Sequence, residues 1–238
     1  MSFEGEVIIS ILKSTKKQHS SHKLLNAGAR WPSADLRKLI GKMQKDGLVY
    51  VSGDLLQANE TQRLNLAVRA VQLGADIERV TTFLHWKEFE DMAAVISEKN
   101  GYKVHRRLRF KHWGRRWEVD LVALKRPLVV SVDCKHWQRG LHPSSLKRIV
   151  EEQVRRTRAL AECVPNPSIE IECANWDKAK FVPSVLTLVP YRLKFHENVP
   201  IVPILKLQDF LEQLPAFADS LGLHSADARN RLDEFTCA

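Results

Sequence analysis

Asp120, Asp133 and Lys135 fall in the stretch EVDLVALKRPLVVSVDCKHW, Glu118 to Trp137, where two apolar runs read as strands buried on both faces. An unpaired carboxylate in such a place costs several kcal/mol, so each aspartate needs a partner. Side chains alternate along a strand, which sends Asp133 and Lys135 to one face and Cys134 to the other. A hairpin symmetric about Lys125, Arg126, Pro127 and Leu128 sets Asp120 opposite Asp133, where like charges about 4.5–5.5 Å apart repel. Something cationic must lie between them. Lys135 suffices for a structural ion pair. The alternative is a divalent metal such as Mg²⁺, held by one or two carboxylates with water and substrate phosphates completing its shell.

The elements around this stretch supply two more polar groups where apolar ones belong. The spacing predicts a helix from Trp86 to Asn100, on which Trp86, Phe89, Ala93 and Ser97 share one side. Glu90 falls in the middle of that arc, whereas Glu88 points almost opposite, away from the core. A second helix, Ser144 to Cys163, places Gln153 among Leu146, Ile149, Val150, Thr157 and Leu160, with Arg148, Arg155 and Arg158 on its outer face. A strand YKVHRRLRFKH precedes the two aspartate strands. SVLTLVPY, VPIVPILK and an amphipathic helix from Leu207 to Leu221 follow the long helix. The order αβββαβ with an extra βα implies an α/β fold, a mixed sheet flanked by helices.

Residues 86 to 222 resemble the PD-(D/E)XK nuclease superfamily, in the branch of Mrr-type restriction endonucleases and archaeal Holliday-junction resolvases. The resemblance is carried by FE at 89–90, EVD ending at Asp120, DCK at 133–135 and the helical Gln153. It implies a restriction-endonuclease-like αβββαβ core and a DNA endonuclease using Mg²⁺ or Mn²⁺. By this likeness Asp120 and Asp133 ligate the metal, and Glu90 assists directly or through water. Lys135 orients or deprotonates the attacking water, and Gln153 positions the site or contacts DNA. Two departures are visible: no proline precedes Asp120, and Asp133 stands where this branch more often has glutamate.

The first 58 residues resemble a winged helix. EVIISILKST, 6–15, and SSHKLLNAGA, 20–29, read as helices. Ser33 caps a third that buries Leu36, Leu39, Ile40 and Met43 and stops at Gly47. GLVYVSGDLLQ, 47–57, is a hairpin. The third helix would offer Arg37, Lys38, Lys42 and Lys45 to DNA, although the same fold also serves for dimerisation. Residues 59–84 read as a helical connector, 85–222 as the nuclease-like domain and 223–238 as a polar tail.

The whole chain carries 37 Lys and Arg against 28 Asp and Glu, a formal net charge of +9, which suits a polyanionic partner. Residues 101–160 alone hold five Lys and eleven Arg against five acids. HRRLRFKHWGRR, 105–116, interleaves Arg106, Arg107, Arg109, Lys111, Arg115 and Arg116 with Phe110 and Trp113, a mixture suited to phosphates and to stacking on distorted or single-stranded bases. The bland reading of this run is a charged strand edge. His136, Trp137 and Arg139 follow the second aspartate strand and line its entrance. The four cysteines show neither CxxC nor tight Cys/His spacing, so no zinc module or disulfide scaffold is signalled. Acids at the start and the lack of a long apolar run point to a cytoplasmic protein without a membrane partner. A homodimer, or a helicase or other DNA-repair protein, are the protein partners compatible with this reading. Its rival is a catalytically inactive nuclease-fold adaptor whose acids are structural.

Overall fold

A computed structural model of the 238-residue chain describes residues 2–16, 22–23, 33–53, 55–135, 143–164, 169–188, 193–221 and 225–227. It divides into two compact units, Met1–Met92 and Ala93–Ala238.

The N-terminal unit opens with α1 (Phe3–Ser14), whose first turn is capped by the Ser2 hydroxyl accepting from the Gly5 N–H at 3.1 Å. Then come β1 (His22–Lys23), α2 (Ser33–Lys45), β2 (Tyr50–Ser52) and β3 (Leu55–Gln57). The three strands pair in the order β1-β3-β2. In α2 Leu36, Ile40 and Met43 are buried and Leu39, expected on the same face, is only half-buried, while Arg37, Lys38, Lys42 and Lys45 are exposed. His22 and Lys23 are strand, not part of the helix expected over 20–29, because they find β3 as a partner; the rest of that helix lies outside the described residues. The segment read as a connector forms α3 (Glu60–Gln72) and α4 (Ile77–Thr81) inside this unit. A reciprocal capping box starts α3, with the Asn59 side chain accepting from Gln62 N and the Gln62 side chain from Asn59 N.

Helix α5 (Trp86–Lys99) runs across the division between the units, and its first turns pack with the N-terminal one. Here the helical wheel misleads. Glu88 is 2% exposed, not solvent-facing, and Met92 one turn on is buried as well. Arg63 is the reason the carboxylate is tolerated. Its guanidinium donates to Glu88 Oε1 at 2.8 Å and Oε2 at 3.3 Å, and to the carbonyls of Leu12 and Phe83. Each buried charge is thereby neutralised and hydrogen-bonded.

The C-terminal unit contains β4 (Lys103–His112), β5 (Arg115–Lys125), β6 (Leu128–Lys135), α6 (Pro143–Cys163), β7 (Lys178–Thr187), β8 (Phe195–His196), β9 (Val199–Pro203), α7 (Leu207–Leu221) and β10 (Ser225–Asp227). The element order α-β-β-β-α-β expected from periodicity is present, and the fold is mixed α/β. The sheet runs β4-β5-β6-β7-β9-β8, with β4, β5 and β6 antiparallel and β6, β7 and β9 parallel. Strand β7 begins six residues before the SVLTLVPY read from the sequence, and β8 and β10 were not legible at all. The tail read as merely polar holds β10, which pairs with β7 at Lys178–Lys180, while β9 pairs with β7 only from Val185 onward. Pro183, which has no N–H to give a ladder, sits in the gap between those two partners. In α7 a second proline has a matching compensation: Pro215 cannot donate to Leu211 O four residues back, and Tyr102 Oη does so instead at 2.9 Å.

Candidate active site

The β5–β6 ladder pairs Lys125 with Leu128 and ends at Leu121 with Val132, so the next pair in register is Asp120 with Asp133. Beyond it β6 stays bound to its parallel neighbour β7 as far as Lys135 and Thr187. The sheet therefore opens between the two acids. In place of a ladder bond, the Asp120 carboxylate accepts from the Cys134 N–H at 2.8 Å. On the other side, Asp120 faces Arg107 in the β4 register, and Arg107 has a left-handed backbone, φ 53°. Trp117 and Val119 share one core cluster with Val122 and Leu124. The in–out alternation of β5 thus shifts by one residue around Asp120. Strain in a non-glycine residue beside a candidate catalytic acid is the kind of feature that a site imposes on its scaffold.

Lys135 projects on the same face as Asp133, its Nζ 3.0 Å from Oδ1 and 2.8 Å from Oδ2. The second contact is an ion pair off the hydrogen-bonding direction, and Oδ2, although buried, receives no well-directed hydrogen bond. Cys134 is buried on the reverse side. A residue that sequence reasoning missed completes the group: Arg156 donates to Asp133 Oδ1 and to Gln153 Oε1, both at 2.8 Å. Gln153 is fully buried, and its Nε2 donates to Ser131 O at 2.7 Å. The chain Ser131–Gln153–Arg156–Asp133 fixes the guanidinium against the acid. Its signal was the spacing, since Arg156 follows Gln153 by one helical turn.

Burial first, and then the charge of Asp133, push the Asp120 carboxyl above its usual range, against the pull of the Cys134 N–H, Lys135 and Arg156. Asp133 is only 4% exposed, against 26% for Lys135 and 18% for Arg156. The cations therefore form the outer rim over a buried acid.

Glu90 is 1% exposed and lies on the part of α5 that packs with the N-terminal unit. Among the described residues no group of three or more His, Cys, Asp or Glu is arranged as a metal cage. The C-terminal unit contributes two of the three acids expected as ligands, Asp120 and Asp133. His136, Trp137 and Arg139 lie outside the described residues.

The basic run divides into paired and unpaired members. Arg106 meets Glu98 at 2.9 Å, Arg109 meets Glu118 at 2.7 Å, and Arg115 meets Glu152 at 2.6 Å. Lys111 and Arg116 are exposed and directly opposite each other. Phe110 is no stacking group: it is 6% exposed and packs with Trp117 in the core, because inward alternation outweighs its charged neighbours. Trp113, at the turn, is 54% exposed. In the N-terminal unit Arg37, Lys38, Lys42 and Lys45, together with Asp35 and Asp46, line an open cavity of about 690 Å³ along α2.

Cys134, Cys163 and Cys173 are buried and not joined in disulfides, and burial pushes the Cys173 thiol up to about 12. No helix among the described residues is long and apolar enough to cross a membrane.

No protein-family model matches the chain. An uncharacterized protein of Archaeoglobus fulgidus is 27% identical over 140 residues, which is 58% of this chain and 98% of that protein. The crystal structure of protein VC1899 from Vibrio cholerae aligns with 92% of this chain at a TM-score of 0.41 and 12% identity. The chain spans about half, 52%, of the length of that structure.

Proposed function

We propose that this chain is a Mg²⁺- or Mn²⁺-dependent DNA endonuclease with a restriction-endonuclease-like core. On this reading the N-terminal unit is a winged helix that brings the core to duplex or branched DNA. The carrying observation is the convergence of Asp120, Asp133 and Lys135 where the β5–β6 ladder opens. Two hard-oxygen acids at one point, one of them raised by burial and then by the other's charge, are a donor set that fits a divalent cation. Asp133 Oδ2, buried and met by Lys135 Nζ at 2.8 Å, is the oxygen such an ion would engage in place of the ammonium. When bound, the ion would withdraw charge from a phosphodiester and lower the pKa of a coordinated water.

The chain's own groups take the remaining roles. Asp120 and Asp133 would hold the cation, with water and substrate phosphates completing its shell. Lys135, an ammonium beside Asp133, would orient the attacking water or stabilise charge on the phosphate. Arg156, tethered by Gln153, balances the two acids and has its guanidinium at the rim, where a phosphate arrives. Arg106, Arg107, Arg109, Arg115, Arg116 and the α2 cations supply sequence-independent contacts to the polyanion.

Labelled duplex, flap, single-stranded and four-way DNA, incubated with Mg²⁺, Mn²⁺ or chelator, test this directly. Asp133→Ala and Lys135→Ala are expected to cut at least about 100-fold more slowly than the parent, the scale of losing a main catalytic group. A parent that cuts nothing, or variants that match it, would remove the proposal.

A second reading, an inactive nuclease-fold DNA-binding adaptor for a helicase or other repair protein, is favoured by one observation: Lys135 and Arg156 already neutralise Asp133. Calorimetry separates the two. Divalent binding that disappears in Asp120→Ala belongs to the enzyme, and its absence in the parent belongs to the adaptor.

A further inference from the structure

The β4–β5 turn brings an open aromatic ring and unneutralised cations to one place. Its two central residues, Trp113 and Gly114, have φ of 51° and 68°, the left-handed pair that a two-residue I′ hairpin requires. Asparagine or glycine meets that need with least strain, so the turn itself does not call for an indole. The ring is also held rather than loose. Trp113 meets Trp117 edge-on at 6.0 Å and His112 at 5.0 Å. The scaffold beneath is braced in turn: Arg115 lies 4.2 Å over the Trp117 ring and pairs with Glu152, and Trp117 Nε1 donates to His112 O at 3.1 Å. Next to the turn, Lys111 and Arg116 are opposed across the ladder. Like charges in that relation repel, and neither has an acidic partner among the described residues.

We infer that this tip is a stacking site for an unpaired base of a DNA strand, with the adjoining phosphates held by Lys111 and Arg116. The class of polymer rests on the DNA-cleaving reading above; the stacking geometry does not. A base inside an uninterrupted duplex already has both faces covered, whereas a splayed or single-stranded base presents a π-face that any indole can take. The substrate class is therefore DNA with exposed bases, such as forks, flaps and junctions. From Trp113 to Asp120 the strand spans roughly 20 Å, on the order of six phosphates at duplex spacing. The stack would grip the polymer away from the scissile bond and leave the acids free.

The test is fluorescence anisotropy of labelled single-stranded, forked and fully paired DNA, with chelator present so that nothing is cut. The full-length parent is compared with Trp113→Ala, Trp113→Phe and Lys111→Glu/Arg116→Glu. Trp113→Ala is expected to lose about tenfold on single-stranded and forked DNA, the weight of one stack. It should leave duplex binding unchanged, and Trp113→Phe should keep most of the affinity. The double charge reversal should weaken all three substrates and flatten the salt dependence. Equal binding by Trp113→Ala on every substrate, an equal loss on every substrate, or no binding by the parent would overturn the inference. If the parent binds with this preference but never cleaves, the nuclease reading falls and the stacking site stands.

Discussion

At the residue scale, Asp120 shows how a buried carboxylate is held at the scaffold's expense. Its raised carboxyl pKa means that the folded chain holds this proton to higher pH than the unfolded one does. The site is then most comfortable at a pH below the unfolded value, about 3.9 for an aspartate. That part of stability is lost as pH rises through the folded value. Asp120→Asn removes the charge while its side-chain oxygen can still accept from Cys134 N–H. It is expected to abolish cleavage and to raise the melting temperature at neutral pH by about 2–4 °C, roughly 1 kcal/mol in a chain of this size. The gain should shrink toward pH 4, and melting curves across pH 4–8 check it. A variant that melts lower at pH 7 would show that the Asp120 charge supports the fold.

At the element scale, the C-terminal helix offers a pairwise test. Tyr102→Phe leaves the Leu211 carbonyl without its donor, because Pro215 supplies none. A buried acceptor so orphaned costs about 1–3 kcal/mol. In a Pro215→Ala background the helix bond can form, and the cost of Tyr102→Phe should fall by about half or more. Urea denaturation of the four proteins gives the coupling. The proline, the tyrosine and the helix boundaries were all visible in the sequence, but their relation was not. Apolar periodicity reveals elements that bury one face, which is why α2, α5, α6 and the three strands β4–β6 were legible to within a few residues. It fails for β1, β8 and β10, two or three residues long, which exist because a neighbouring strand offers an edge. It fails for Glu88, where a helix is covered on two sides and an arginine distant in sequence neutralises the charge. The acids and lysine of the candidate site were legible because a charge in an apolar strand is conspicuous; Arg156, one more arginine on a helix rich in them, was not.

At the scale of the whole molecule, charge is spread over both units. Exposed α2 cations belong to the first, and the β4–β5 hairpin belongs to the second. Arg37→Glu/Lys38→Glu/Lys42→Glu is expected to weaken duplex binding and to reduce the slope of log K against log salt by about 1 for each phosphate no longer neutralised. On the proposed nuclease reading, metal-dependent cleavage of short single strands should be nearly unaffected. Binding titrations from 50 to 200 mM salt measure it; an unchanged slope would assign α2 to packing or dimerisation. The patched flank of β7 carries a practical consequence for handling the protein. Lys178–Lys180 satisfies its outer backbone groups with Ser225–Asp227, a segment from the chain's own end. A version shortened before 225 would bare a strip of unsatisfied peptide groups, which invites a neighbouring molecule to add itself as a strand. Shortened preparations should self-associate on storage where the full chain stays dispersed, with the two lysines as their only charge barrier in that strip.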